Sequence, residues 1–173
     1  MELTRRNWLA SASGVIAALC VGPVLARTSV IKVSLWDKGA TSMNALGKSE
    51  PLGMAMGASG ATASQTAAPM GIRVSSRTVK AGEVRFQVTN ASTQMVHEMV
   101  ISPVKSLKAP LPYDKADNKI IEDSAGHLGE VAELEPGKKG ELKLNLKPGS
   151  YILYCNIPGH YVLGMWTLLT VKA

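Results

Sequence analysis

Cys155, His160 and Met165 stand five residues apart in Tyr154-Cys155-Asn156-Ile157-Pro158-Gly159-His160-Tyr161-Val162-Leu163-Gly164-Met165. An apolar run, Tyr151–Cys155, leads into this stretch, and another, Met165–Val171, leads out of it. The thiol therefore ends one expected strand and the thioether begins the next. Pro158, Gly159 and Gly164 allow the connection to turn back on itself. Such a chain can bring a thiolate, an imidazole and a thioether together at one end of a sheet. A fourth donor has to come from a different strand, and His97 is the best placed.

The rest of the mature chain reads as strands. Val30–Trp36 alternates, Gly71–Val74 and Arg77–Val79 are short candidates, and Val84, Phe86 and Val88 alternate with polar residues over Glu83–Thr89. Met95–Ser102 forms another strand closed by Pro103, and Leu142, Leu144 and Leu146 alternate over Glu141–Leu146. Pro136-Gly137 and Pro148-Gly149 mark turns. Residues 104–135 hold Pro110, Pro112 and scattered acids, and read as mostly irregular with one short helix. With one Phe in 173 residues, the core has to rest on Val, Leu and Ile with a few Trp and Tyr, as strand-rich sequences often do. The expectation is an all-β fold, a Greek-key β-sandwich of seven to eight strands, for which about 100 residues suffice.

Residues 39–69 break the pattern. They are rich in Ala, Gly, Ser, Thr and Met without apolar periodicity, and read as a flexible insertion within a single domain spanning 27–173. Met43, Met54 and Met56 dot it, and Met70 follows directly. A linker that happens to contain Met is the simpler reading, and a soft Cu(I) site centred on Met54 and Met56 is the sharper one.

The N-terminus reads as an export signal. Thr4-Arg5-Arg6-Asn7-Trp8-Leu9 resembles the twin-arginine motif, apolar and small residues follow to Val21, and Pro23-Val24-Leu25-Ala26 offers a small-residue cleavage site. Ser11, Ser13, Gly14, Gly22 and Pro23 interrupt the apolar stretch, which argues against a membrane anchor. Cleavage after residue 26 removes Cys20 and leaves Cys155 alone. The expected location is a periplasm. A lone thiol in an oxidising compartment has no internal partner, so it is inert, paired with another chain, or chemically employed.

The donor set favours copper. Thiolate and thioether suit Cu(I), imidazole suits both oxidation states, and two His, one Cys and a weak axial Met form a type 1 set. Structural zinc has little use for Met. A cysteine nucleophile needs His and an orienting Asn or Asp, but Asn156 directly adjoins the Cys. Three His in all cannot build a trinuclear oxygen-reducing cluster beside a mononuclear site. His127 reads as a loop residue, next in line only if His97 is not a ligand.

Asn90–Ser102, with Val96-His97-Glu98-Met99-Val100, and Pro148–Met165 resemble the two ligand segments of a cupredoxin. The C-x4-H-x4-M spacing is similar to that of azurin, auracyanin and rusticyanin rather than to the shorter plastocyanin loop. The resemblance implies one type 1 copper per chain, with His97, Cys155 and His160 as strong ligands and Met165 as the weak axial one. It also implies an electron carrier rather than an enzyme. Its partners would be redox proteins such as cytochromes or oxidases, including a membrane-associated one. By the same analogy Pro158, Gly159, Tyr161, Val162 and Leu163 form an apolar patch for electron exchange at the edge of His160. Glu98 departs from the Asn found after the first His in several cupredoxins, and an ionised carboxylate accepts hydrogen bonds without donating.

The net charge of +6 is spread over single and paired basic residues without interleaved aromatics, so nucleic acid is a poor reading and is not expected as a partner. Asp114, Asp117, Glu122, Asp123, Glu130, Glu133 and Glu135 cluster and read as a solvated face, with a docking surface for a basic partner as the sharper alternative. The functional rival is a periplasmic copper delivery or resistance protein, suggested by the Met-containing insertion.

Overall fold

In the computed structural model, residues 28–47, 68–106 and 110–173 are described. The export segment, Met54 and Met56 lie outside the described residues. The first strand, β1 (Ser29–Asp37), runs parallel to β4 (Gly82–Asn90) and antiparallel to β2 (Met70–Val74). With β9 (Lys139–Leu146) these make a four-stranded sheet in the order β2-β1-β4-β9. The second sheet has five strands. They are β3 (Thr78–Lys80), β5 (His97–Pro103), β8 (Gly129–Leu134), β10 (Gly149–Tyr154) and β11 (Trp166–Lys172), ordered β3-β11-β10-β5-β8.

The alternation seen in the sequence fixes which faces meet. Ile31, Val33 and Leu35 of β1 and Val84, Phe86 and Val88 of β4 are buried from one sheet. Met99, Ile101, Leu153, Leu169 and Val171 are buried from the other, and all belong to one apolar cluster. This is the layered sandwich that the pattern calls for.

The segment after β5 differs from expectation. Residues 110–128 are not mostly irregular: β6 (Tyr113–Asp114) and β7 (Lys119–Ile120) form a hairpin, and a one-turn helix, α1 (Glu122–Ala125), follows. Leu111, Ile120 and Ala125 cover the outer face of the five-stranded sheet, where Val100, Ile152, Tyr154, Tyr161 and Trp166 form a second buried cluster. Covering that face explains why β10 reads as a continuous apolar run rather than an alternation. The strand count accordingly rises from seven or eight to nine in the two sheets plus the hairpin. The missed member, β8, offers only Val131 as a fully buried residue and carries Glu130 and Glu133, the charged character of an edge strand.

The expected insertion also begins with structure. Ala40–Ala45 is a short 3-10 helix, and Met43, Ala45 and Leu46 pack against the main core. Met70 is fully buried at the start of β2.

Gly140 of β9 lies against Val131 of β8, and a Cβ on Gly140 would run into the Val131 side chain. Valine has little rotamer freedom to yield. Gly140→Ala should therefore destabilise the fold by about 1–3 kcal/mol, read as a lower urea midpoint. An unchanged midpoint would mean that the β8 edge does not pack as described.

Candidate metal centre

The centre lies at one end of the sandwich. His97 begins β5, Cys155 follows β10 and Met165 precedes β11. His160 sits in the turn between, where Gly159 adopts a left-handed φ of 83°. Backbone bonds fix this loop: Cys155 N–H donates to Met165 O at 3.0 Å, Met165 N–H to His160 O at 3.1 Å and His160 N–H to Ile157 O at 3.0 Å.

His97, Cys155 and His160 converge, with one donor atom from each within 4.8 Å of the others. His97 Nδ1 is 3.2 Å from His160 Nδ1, and His160 Nδ1 is 3.3 Å from Cys155 Sγ. For a first-row ion, metal–nitrogen distances of about 2.0 Å and metal–sulfur distances of about 2.3 Å leave donors on one ion about 3–4 Å apart. The three atoms thus fit one ion. Met165 is fully buried beside Cys155 in the main core, and its backbone is bonded to both Cys155 and His160.

Burial sets the protonation states. Desolvation pushes the Cys155 thiol up to about 12, although the Glu98 and Ile157 N–H groups oppose it. Desolvation, with His97 nearby, brings His160 down to about 4. His97 is lowered by burial as well, although Asp37 pulls the other way. At neutral pH both rings are neutral and the thiol keeps its proton. A cation held by these donors would reverse the preference at sulfur and displace that proton.

The surrounding hydrogen bonds join the ligand loops. Glu98 N–H points at Cys155 Sγ at 3.5 Å, and Glu98 Oε1 accepts from Asn156 N–H at 2.9 Å. Glu98 thus makes the tie between loops despite departing from Asn. Asn156 Oδ1 accepts from Ile120 N–H at 2.6 Å, while its Nδ2 donates to Ile120 O at 3.0 Å and to Glu122 Oε1 at 2.7 Å. Asn90, at the end of β4, donates to Met95 O and Leu134 O and shapes the turn before His97. His97 Nε2 is 2.8 Å from Asp37 Oδ2, with both side chains buried.

Asp37 and Asn156 are the residues that sequence reasoning missed. Asp37 closes a strand with Gly two residues on, an Asx-turn signal, and Gly39 N–H does donate to Asp37 Oδ1 at 2.6 Å. No sequence signal points from Asn156 to Ile120 or Glu122.

His127 lies away from these donors. It is part-exposed, and its Nδ1 is 4.0 Å from Glu122 Oε2. The expected apolar patch also changes. Tyr161 and Leu163 are core residues, Val162 packs on the outer cluster, and Pro158 is exposed. Gly159 lies against the 3-10 helix region, where a Cβ would meet Leu46 at 3.1 Å and Met43 at 3.2 Å.

A two-sheet sandwich with two imidazoles and a thiol gathered at one end defines a mononuclear copper site. Residues 58–172 match the family described as copper binding proteins, plastocyanin/azurin family, and the chain belongs to that family. Rusticyanin from Thiobacillus ferrooxidans aligns at a TM-score of 0.53 with 15% identity, over 85% of this chain and 79% of that one. A reduced rusticyanin aligns at 0.50 with 14% identity, over 85% and 81%. A reduced auracyanin from the photosynthetic bacterium Roseiflexus castenholzii gives 0.49 with 17% identity, over 86% and 99%. A search of curated protein sequences finds no match.

Glu98 generates a pH signature. Burial, with Glu130 and Glu122 nearby, raises its carboxyl from 4.5 to about 7 against the opposing Asn156 N–H and Lys119. A raised folded-state pKa means stability present below 4.5 that is lost as pH rises through about 7. The two histidines, lowered by burial, act in the opposite sense over an overlapping range. The variant Glu98→Gln keeps the acceptor for Asn156 and cannot ionise. In the copper-free protein, its stability relative to wild type should therefore improve as pH rises from 4.5 to about 7. Urea midpoints across that range check it, and a pH-independent difference would refute it.

Proposed function

We propose that this chain carries single electrons between redox proteins such as cytochromes or oxidases, and that it transforms no substrate. It works outside the cytoplasm, in a periplasm reached by the twin-arginine route. The observation that carries the reading is the burial of three convergent donors in a hydrogen-bonded frame.

His97, Cys155 and His160 would hold the copper, with Met165 as a weaker thioether donor. The bound copper supplies a one-electron Cu(II)/Cu(I) couple. Backbone bonds through Cys155, His160 and Met165 hold the donor loop in one geometry, so little rearranges when an electron moves. The same burial excludes water from the thiol. His160, 3% exposed, is the ligand nearest the loop that carries exposed Pro158. Pro158 with Met43 and Leu46 then forms the apolar rim against which a partner rests. A delivery protein would have to release copper readily, and donors this deeply buried disfavour release.

The copper-loaded domain should show an intense thiolate-to-Cu(II) absorption, a type 1 EPR spectrum and reversible reduction. Cys155→Ser should abolish the visible band. Pro158→Asp should leave the band intact and slow electron exchange several-fold. A colourless wild type fully loaded with Cu(II) would refute the type 1 assignment, and unchanged exchange in the Pro158 variant would displace the rim.

A further inference from the structure

Asp37 belongs to the sheet opposite the copper loop, and its side chain hydrogen-bonds His97 across to the other sheet. It ends β1, whereas His97, Cys155 and Met165 belong to strands of the other sheet or their ends. Its carboxylate is 1% exposed and lies 2.8 Å from His97 Nε2, while His97 Nδ1 faces His160. The carboxylate is itself held in place. Gly39 N–H donates to Oδ1, and the Ser92 hydroxyl supplies a further hydrogen bond. Ser92 is fixed in turn, because its Oγ accepts from Met95 N–H at 2.8 Å and from Gln94 N–H at 3.1 Å.

Building on the copper reading above, we propose that Asp37 is the positioning residue of the centre. Its carboxylate locks His97 in the Nε2–H tautomer, aims the Nδ1 lone pair at the copper and favours Cu(II) over Cu(I).

An ionised carboxylate only accepts hydrogen bonds, so the ring nitrogen facing it must carry the proton. The Asp37 carboxylate is surrounded by donors, Gly39 N–H at 2.6 Å and His97 Nε2 at 2.8 Å among them. A ring that keeps one nitrogen bare for a metal carries its single proton on the other, so the contact is a neutral N–H donating to an anion. A neutral ring with its proton on Nε2 has a bare Nδ1. An anionic partner on the far nitrogen raises the basicity of the near one. Both this stronger donation and the direct Coulomb attraction act more on a doubly charged ion than on a singly charged one. The charge thus lowers the reduction potential.

The test pairs Asp37→Asn with ring-nitrogen NMR. Asparagine keeps an oxygen that can accept from Nε2–H but removes the charge. Asp37→Asn should retain the visible band while the ratio of Cu(II) to Cu(I) affinity falls about tenfold, an upward shift of about 59 mV for a one-electron couple. Asp37→Ala removes orientation as well and should also weaken Cu(II) binding. In the copper-free wild type, His97 should show a protonated Nε2 and a bare Nδ1, a readout that stands even if neither variant folds. A normal band with an unchanged potential in Asp37→Asn, or an Nδ1–H tautomer in the wild type, overturns the proposal. An absent band in copper-loaded wild type overturns the copper reading instead.

Discussion

A thiolate in the interior of a β-sandwich requires a cation beside it, because desolvating an isolated charge costs more than the fold can supply. Cys155 is fully buried. Without metal the thiol keeps its proton, and the same burial keeps His97 and His160 neutral. The three donors can therefore sit together uncharged, 3.2–3.3 Å apart in two of the pairs, without repelling one another. Burial that would be costly for ions is tolerable for a neutral set. It becomes favourable once a copper ion takes the place of the thiol proton.

The remaining architecture closes one end of the sandwich around that set. Asn90 shapes the approach to His97, Glu98 ties β5 to the residue after Cys155, and Asn156 ties the same loop to β7 and α1. Asp37 brings in the opposite sheet. The ligand segments are thus anchored to both sheets and to the covering hairpin. The register shift between β5 and β8 beside His97 belongs to the same scheme: two steps along β5, His97 to Met99, face three along β8, Leu134 to Val131, and such bulges are common beside functional sites. The covering segment also explains the acidic cluster in part. Glu122 turns inward to Asn156, while Asp117, Asp123, Glu130 and Glu133 remain on the exposed side.

The readable parts of the sequence were those whose chemistry or periodicity is local. Cys155, His160 and Met165 announce themselves by type and spacing, and β1, β4 and β9 by strict alternation. His97 could be chosen because few other imidazoles compete. β8 was not readable, because an edge strand with a single deeply buried side chain carries almost no alternation. The 3-10 helix at Ala40–Ala45 was hidden in a stretch of small residues, and Met43 packs on the core and close to Gly159, which is distant in sequence. Asp37 and Asn156 failed for a related reason. Their partners lie 60 and 34–36 residues away, and such pairings follow from topology rather than from local pattern.

Two carboxyl groups flank the centre, and their surroundings give them different behaviour. Asp37 has three hydrogen-bond donors and no carboxylate among the causes acting on it, so it stays ionised. Glu98 has the Asn156 N–H but also Glu122 and Glu130 nearby, which together with burial keep its proton to about pH 7. The copper end therefore carries a fixed negative charge on one side and a conditional one on the other. The chain as a whole is cationic, at +6. At a Debye length of about 8 Å in physiological salt, an exposed partner feels mainly the surface charge, whereas buried Asp37 acts on the metal through a poorly screened interior. On the proposal for Asp37, tuning of the copper would therefore rest with a buried residue, and any attraction to a partner with exposed ones.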